Sequence, residues 1–331
     1  MSHPAAYWQA TTDGNVQCLL CPIGCKLQDG QDGLCGTRGN VDGAMVAKQY
    51  GRLVSAAVDP IEKKPLYHFF PARSIFSVAA LGCNLHCQFC QNWNISQSTQ
   101  GPTSDTTPEQ IVADAQRVES VGIAYTYSEP LVWYEFVRDS ARLARAAGLK
   151  NVIVSNGFLN PEPLAELLPL IDAANIDLKS MDDEFYKKVC KARLQPVLTN
   201  IRAIHAQGVH LEVTNLVIPG QNDSDEQIAE LADFVAGVAP DIPLHLSAYC
   251  PSYKFTAPPT PPQTLLRARR VAMRRLRYVY LGNVMVEGGA DTICPSCQAV
   301  AIQRTGYRTV NRVSATGGCP ECGTIIPVIL N

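Results

Sequence analysis

The sequence predicts an α/β protein whose central domain alternates strands and helices, with a small cysteine-rich module at each end. Three observations support this prediction. Six apolar, strand-like runs alternate with helical patterns between Ser74 and Asn283. The runs at 151–155 and 242–248 are mostly apolar, as strands covered on both faces should be. Eleven of the thirteen cysteines fall into three groups, two of which lie outside the alternating region.

These patterns divide the chain into an N-terminal four-cysteine module at 1–60, a core barrel at 61–285 and a C-terminal module at 286–331. Six βα units within 74–283 are short of the roughly 250 residues of an eight-unit barrel. The predicted strands are 75–80, 122–127, 151–155, 174–178, 209–218 and 242–248. The predicted helices lie near 108–120, 131–148, 161–171, 182–206, 224–238 and 263–275.

The N-terminal module contains four cysteines with the spacing C-x2-C-x3-C-x9-C, namely Cys18, Cys21, Cys25 and Cys35. The segment is rich in glycine and shows little helix or strand pattern, so it buries little apolar surface. A metal would therefore have to hold it together. Four sulfur ligands suit either zinc or a second iron–sulfur cluster, and ligand type alone does not choose between them. The alternative is a set of buried or redox-idle thiols.

A second cysteine group follows the first predicted strand of the core. Cys83, Cys87 and Cys90 have the spacing C-x3-C-x2-C, and Phe89 places an aromatic ring between the last two. Three thiolates this close in sequence can converge on an iron–sulfur cube of four irons, which leaves one iron open. The loop leaves the C-terminal end of a strand, where α/β barrels carry their chemistry. The alternative is a zinc or purely structural cluster site.

Polar residues mark the ends of the next three strands. Glu129 follows the second strand, Ser155 and Asn156 end the third, and Asp177 and Lys179 end the fourth. Asp177 and Lys179 alternate to one side of their strand. A buried acid and amine are costly unless they pair or meet a ligand, so both a ligand site and a structural ion pair are possible. Glu129 either binds a ligand or complements the dipole of the following helix.

The fifth and sixth strands add polar residues that could face the same cavity. Glu212, Thr214 and Asn215 lie on the fifth strand, and His245 and Ser247 share a face of the sixth. They either contact a substrate or simply line the barrel.

The C-terminal module contains two C-P-x-C knuckles, which supply Cys294, Cys297, Cys319 and Cys322. This spacing is typical of a zinc ribbon or a rubredoxin-like iron site. The residues between the knuckles, at 301–312, suit a hairpin. So small a piece needs such a staple, and a structural zinc supplies about 10–16 kcal/mol at neutral pH.

The composition of the chain argues against several classes of partner. The formal net charge of −2 gives no basic field for nucleic acid or anionic lipid. No run approaches the roughly 18 apolar residues of a membrane span, and the N-terminus lacks a secretory pattern. Thirteen cysteines in such a chain indicate metal sites rather than disulfides. We therefore expect a cytoplasmic protein, with neither membrane nor nucleic acid as a partner.

Together these motifs resemble the radical S-adenosylmethionine (SAM) superfamily, whose signature is C-x3-C-x-aromatic-C after the first barrel strand. CNLHCQFCQNW, AYTYSEP, VIVSNG and CPSC…CPECG are similar to the radical SAM proteins of the AmmeMemoRadiSam system, which are related to pyruvate formate-lyase activating enzymes. The resemblance implies a partial (β/α)6 TIM-like barrel flanked by the two cysteine modules, the second zinc-ribbon-like. The family usually has Gly-Gly-Glu-Pro where this chain has Tyr127-Ser128-Glu129-Pro130.

The resemblance also implies cofactors and a reaction. A [4Fe–4S] cluster on Cys83, Cys87 and Cys90 would bind SAM and cleave it reductively to a 5′-deoxyadenosyl radical, which abstracts hydrogen from a substrate. Glu129 would hold the SAM amino group, and Asp177 and Lys179 would lie near SAM. Ser155 and Asn156 offer hydroxyl and amide partners for its ribose or methionine portion.

The substrate is not apparent from the sequence. The first hypothesis is a small molecule handled with partner proteins; the alternatives are a protein glycine, as in glycyl-radical activation, and a non-catalytic metal-scaffolded binding protein. The expected partners are the unidentified substrate and an electron donor such as flavodoxin or ferredoxin. The family further implies proteins of the Ammecr1 and Memo types.

Overall fold

A computed structural model describes residues 3–331 of the chain, which form nineteen strands within that range. The N-terminal module contributes seven short strands: β1 (His3–Pro4), β2 (Trp8–Ala10), β3 (Val16–Cys18), β4 (Lys26–Leu27), β5 (Arg38–Val41), β6 (Ala44–Ala47) and β7 (Arg52–Leu53). The central strands are β8 (Ser55–Pro60), β9 (Ser74–Ala79), β11 (Gly122–Tyr125), β12 (Lys150–Ser155), β13 (Ala173–Asp177), β14 (His210–Val217), β15 (Leu244–Ala248) and β16 (Val279–Gly282). Between β9 and β11 in the chain lies β10 (Ser104–Asp105), which pairs with β7 in a separate two-stranded sheet. The C-terminal strands are β17 (Thr292–Ile293), β18 (Val300–Thr305) and β19 (Arg308–Asn311).

The α-helices follow the central strands. They are α1 (Trp93–Ser96), α2 (Pro108–Arg117), α3 (Tyr134–Ala146), α4 (Pro161–Leu167), α5 (Asp183–Phe185), α6 (Leu194–Ala206), α7 (Asp225–Val238) and α8 (Pro262–Ala272). Short 3-10 turns lie at Thr12–Gly14, Ile61–Lys63, Pro130–Val132 and Leu168–Leu170, and a π turn at Tyr186–Cys190. None of these helices, within residues 3–331, is long and apolar enough to cross a membrane.

An eight-stranded, mostly parallel sheet forms the centre of the molecule. Its strand order is β16-β15-β14-β13-β12-β11-β9-β8, in which β9 and β11 to β16 are parallel and β8 runs antiparallel to β9. Within the described chain, β8 and β16 each pair on one side only, so the sheet is open. The inner strands are buried almost throughout, which agrees with their apolar sequences.

All six predicted core strands are present, but the predicted six-strand arrangement is incomplete. The sequence missed β16, which has only four residues and directly follows an arginine-rich segment. It also missed β8, because alternate residues of that strand are partly exposed and it ends in proline. β8 lies within the residues that the sequence assigned to the N-terminal module, yet it forms the edge of the central sheet.

The predicted helix at 182–206 is broken in the structure. α5 continues into the π turn, and the chain then passes through Lys191 in the left-handed region at φ 59° before α6 begins. Two of the helices, α2 and α7, begin at capping boxes. Thr107 forms a capping box with Gln110 at α2.

The N-terminal module shares its core with the central domain. Six of its strands form two three-stranded antiparallel sheets, and β7 pairs with β10. Val16, Leu20, Leu27 and Met45 belong to the same apolar cluster as the central strands. The module is therefore packed onto the central sheet rather than held only by its cysteines.

The C-terminal module packs against the end of the central sheet at which the parallel strands begin. β18 and β19 form the predicted hairpin. The segment after it returns to the residues that precede β9, where Phe70 N donates to Ile329 O at 2.8 Å. His68 is fully buried there between Pro327 and Tyr280, consistent with a satisfied histidine in an aromatic patch. The module thus covers the N-terminal ends of the strands.

Candidate active site

A cavity of about 300 Å³ opens at the C-terminal ends of the parallel strands. Ligand pockets in proteins have volumes of about 300–1,000 Å³, so this cavity is large enough for a small molecule. The structure brings the predicted core cysteines and the predicted polar residues together around it. They are Cys83, Cys87, Cys90, Glu129, Ser155, Asn156, Asp177 and Lys179.

The cysteine loop is held in place by backbone hydrogen bonds to the π turn. His86 N donates to Cys190 O at 2.9 Å, and Gln88 N donates to Val189 O at 3.0 Å. Phe89 is buried and its ring stacks on Phe185, with centroids 6.0 Å apart. These contacts hold the loop against α5 and the π turn.

Polar groups surround the three thiols. Leu85 N donates to Cys83 Sγ at 3.3 Å, and Cys90 Sγ lies 3.0 Å from Ser96 Oγ. Burial raises the pKa of the Cys83 thiol well above its usual value. A hydrogen bond from the thiol of Cys190 lowers the pKa of Cys87. Hydrogen bonds to cluster sulfurs tune such sites, so these contacts suit thiolate ligands.

The spacing of the sulfur atoms distinguishes a cluster from a single ion. Two thiolates bound to one zinc ion, each at about 2.3 Å, lie at most about 4.6 Å apart. Within residues 3–331, the three core cysteines do not form a group whose ligand atoms all lie within 4.8 Å of one another. Their arrangement therefore fits thiolates on separate irons of a cluster better than three ligands of one ion.

Glu129 sits at the centre of a hydrogen-bond network. Its carboxylate accepts from Ser155 Oγ at 2.7 Å, from Asn156 N at 2.8 Å and from Leu131 N at 3.0 Å. Burial raises its pKa to about 7, although these donors favour the carboxylate. Glu129 thus caps the following turn and also borders the cavity, so the two interpretations of this residue are compatible.

Asn156 connects this network to the cysteine loop. Its Nδ2 donates to Asn84 Oδ1 at 2.9 Å and lies 3.6 Å from Cys83 Sγ. Asn84 in turn donates from Nδ2 to Phe158 O at 2.7 Å. The loop after β12 and the cysteine loop are therefore positioned by each other.

Asp177 and Lys179 form an ion pair at the end of β13, with Lys179 Nζ 3.1 Å from Asp177 Oδ2. The Asp177 side chain is 38% exposed and lines the cavity. Burial alone would lower the pKa of Lys179, but Asp177 and Cys87 outweigh it and raise the pKa. The pair therefore presents charges that are partly accessible to a ligand.

Of the polar side chains predicted on the fifth and sixth strands, some line the cavity and others lie in the core. Thr214 and Ser247 line the cavity. Glu212 is fully buried below it, where it accepts from His245 Nε2 at 2.6 Å and from His68 N at 2.7 Å. Asn215 is buried and donates to Leu178 O at 2.7 Å. Glu212, His245 and Asn215 therefore belong to the interior, not to the cavity wall.

Sequence reasoning missed a polar cluster beside the cavity. Tyr127 lines the cavity in the left-handed region at φ 68°, at the position of the family's first glycine, and its hydroxyl donates to Asp59. Lys64, which is 1% exposed, lies 2.7 Å from the same carboxylate. Strained backbone of this kind often marks functional sites. The sequence carried one signal of this cluster, namely Tyr127 at a position where the family usually has glycine.

The outer cysteine groups differ in geometry. Cys294, Cys297, Cys319 and Cys322 converge so that their sulfur atoms all lie within 4.8 Å of one another, which fits a single ion. Cys18, Cys21, Cys25 and Cys35 line a separate apolar cavity without converging in this way, as judged over residues 3–331.

The protein is thus an α/β protein whose parallel sheet carries a three-cysteine loop at the C-terminal ends of its strands. The model of the radical SAM superfamily matches residues 78–232, which contain that loop. An uncharacterized protein of Methanocaldococcus jannaschii is 43% identical over 98% of this chain and 99% of its own length. The chain therefore contains a radical SAM domain within residues 78–232.

Two more distant similarities are also found. Pyruvate formate-lyase 1-activating enzyme of Escherichia coli K12 is 25% identical over 46% of this chain and 65% of that enzyme. A solved structure described as TYW1 with a lysine-pyruvate adduct bound has a TM-score of 0.51 and 16% identity, and the match covers 70% of this chain and 89% of TYW1. The latter similarity concerns the fold alone.

Proposed function

We propose that the protein is a radical SAM enzyme in which Cys83, Cys87 and Cys90 hold a [4Fe–4S] cluster that cleaves SAM reductively. The observation that carries this proposal is that the three thiols share one cavity with Glu129 and the other strand-end residues. The cluster, when bound, supplies the electron that converts SAM to methionine and a 5′-deoxyadenosyl radical.

The residues around the cavity would orient SAM against the open iron. Glu129 uses three of the roughly four acceptor positions of its carboxylate for Ser155, Asn156 and Leu131, which leaves one for the SAM amino group. Ser155 and Asn156 fix that carboxylate and border the space for the methionine portion or the ribose. Asp177 and Lys179 offer opposite charges on the next strand.

Reductive SAM cleavage by the reconstituted protein tests this proposal. The protein is loaded anaerobically with iron and sulfide, given SAM and dithionite, and assayed for 5′-deoxyadenosine. We expect product from the wild type and from Cys250→Ala, a control that removes an exposed cysteine outside the three groups. Cys90→Ala should form none. Persistent cleavage by Cys90→Ala would rule out the proposed ligand set.

We favour a small-molecule substrate, handled with partner proteins. The wall of the cavity also carries the ammonium of Lys63 and the hydroxyl of Tyr127, which have no role in the proposed SAM contacts and suit a compact polar ligand. The alternative, activation of a protein glycine, is favoured by the similarity to pyruvate formate-lyase activating enzyme.

Labelled substrate pools separate these two hypotheses. Cells are grown in deuterated medium, and their extract is fractionated by size. Each fraction is then incubated with the enzyme, SAM and reductant. Deuterium transfer to 5′-deoxyadenosine from the low-mass fraction supports a small molecule. Transfer from the protein fraction, together with a persistent organic radical in the EPR spectrum, supports glycyl-radical activation instead.

Partners and outer metals complete the proposal. The electron is supplied by a donor of the flavodoxin or ferredoxin type, and proteins of the Ammecr1 and Memo types are proposed partners through the family resemblance. The C-terminal cysteines bind zinc as a structural ion. A non-catalytic binding protein would instead carry zinc at all three cysteine groups and show no affinity for SAM.

A further inference from the structure

The N-terminal cysteines surround a cavity of their own. Cys18, Cys21, Cys25 and Cys35 line it together with apolar side chains. None of the four forms a disulfide. Four free thiols that face one enclosed apolar space, contributed by two separate turns, form a ligand set rather than scattered core residues.

The distances between these sulfur atoms do not suit a single metal ion. All ligands of one zinc must lie within about 4.6 Å of one another. Among residues 3–331, no three of these cysteines have sulfur atoms that all lie within 4.8 Å, whereas the four C-terminal cysteines do. Among the same residues, Cys83, Cys87 and Cys90 likewise do not have sulfur atoms that all lie within 4.8 Å of one another. Thiolates on the separate irons of a cluster have this wider arrangement.

A buried arginine provides a second, independent indication. Arg38 is 1% exposed and lines the same cavity. Its Nη2 is paired with Glu135 at 3.1 Å, but its Nε and Nη1 have no hydrogen-bond partner. Buried donors without partners are costly, so a missing acceptor is expected beside them. The sulfurs of an anionic cluster are acceptors of that kind.

We propose that Cys18, Cys21, Cys25 and Cys35 hold a second iron–sulfur cluster, with all its irons ligated by protein, beside the SAM-cleaving cluster. The two sites are in contact. Asn84 lines the N-terminal cavity and accepts a hydrogen bond from Asn156, whose Nδ2 lies 3.6 Å from Cys83 Sγ. On the other side, His86 Nε2 lies 3.2 Å from Leu34 O, next to Cys35.

Metal analysis of a variant that lacks the first cluster tests this inference. The full chain with Cys83, Cys87 and Cys90 all changed to Ala is reconstituted anaerobically with iron, sulfide and zinc. We expect iron and acid-labile sulfide in equal amounts, with about one zinc per chain from the C-terminal site. Further replacement of Cys18 and Cys35 by Ala should remove the iron and sulfide but keep the zinc. About two zinc ions and no iron in the first variant would overturn the proposal.

A measurement on the wild type covers the case in which the variants fail to fold. The reduced holoprotein should give two EPR signals, of which SAM alters one and leaves the other unchanged, because a fully ligated cluster has no open iron. A single signal that SAM shifts entirely would contradict the inference. The metal analysis involves no SAM, so its outcome is separate from that of the proposed SAM cleavage.

Discussion

At the scale of single residues, the site contains buried and partly buried charged side chains, each held by specific partners. Glu129 is held by three donors, and Asp177 faces Lys179. Arg38 and Glu135 form a buried ion pair beneath the N-terminal cysteines. Removing one member of such a pair leaves the other uncompensated, so these positions should respond strongly to substitution.

Glu129 should make SAM affinity depend on pH. Burial raises its pKa to about 7, and a bound amino group favours its carboxylate form, so binding below that pH must displace a proton. We expect affinity to weaken as the pH falls below about 7, approaching tenfold per pH unit, and to level off above it. Glu129→Gln should bind more weakly near neutral pH and lose this dependence. Anaerobic equilibrium dialysis measures both, and identical profiles for the two proteins would exclude the role.

Arg38 should stabilise the N-terminal module far more than a surface arginine does. Arg38→Gln leaves Glu135 buried without its cation, and we expect a loss of about 3–5 kcal/mol in unfolding free energy. Arg117→Gln, which removes an exposed ion pair with Asp114, should cost no more than about 1 kcal/mol. Anaerobic urea unfolding of both variants checks this; similar losses in the two would show that the buried pair is not required.

At the scale of elements, the close approach of the N-terminal module to the cysteine loop depends on a glycine. Gly82 has a φ of 102°, and a Cβ there would lie 2.5 Å from Cys35 O and 2.6 Å from Thr37 Cγ2. No side chain fits without moving one of the two loops. The contact therefore links the positions of both cysteine groups.

Gly82→Ala should reduce iron loading, because it pushes the two loops apart. Gly148→Ala is the matched control, since Gly148 also has a positive φ of 77° but no atom within 4 Å of the added Cβ. The unfolding free energy of the control should fall by only about 1–2 kcal/mol, the cost of a non-glycine residue in the left-handed region, and the control should retain its iron. Iron analysis after reconstitution distinguishes the two, and full loading of Gly82→Ala would refute the steric argument.

The C-terminal module should depend on its metal for folding. Cys322→Ser removes one of four converging ligands from a piece whose own apolar cluster is small. We expect residues 286–331 to become sensitive to limited proteolysis while the central sheet stays resistant. Cys250→Ser, which changes an exposed cysteine outside the cluster, should behave as the wild type. Equal resistance of both variants would mean that packing alone holds the module.

At the scale of the whole molecule, local patterns revealed the strands, the cysteine loop and the hairpin. The hydrophobic periodicity and the apolar runs of the sequence were enough to predict the six inner strands, because burial on both faces makes such sequences distinctive. β16 was missed because it has only four residues, and β8 because most of its residues are at least partly exposed. The roles of Asn84 and Arg38 were missed because they arise from contacts between distant segments, which no local pattern encodes.

The most direct test of the account is the contact between SAM and the cluster. SAM labelled with ¹⁵N in its amino group is bound to the reduced, reconstituted protein, and electron–nuclear double resonance is recorded. The account predicts a ¹⁵N coupling to the cluster in the wild type, absent from the variant in which Cys83, Cys87 and Cys90 are Ala. Bound SAM without any such coupling, in a protein with a fully loaded cluster, would contradict the assignment of the three-cysteine loop as the SAM-cleaving site.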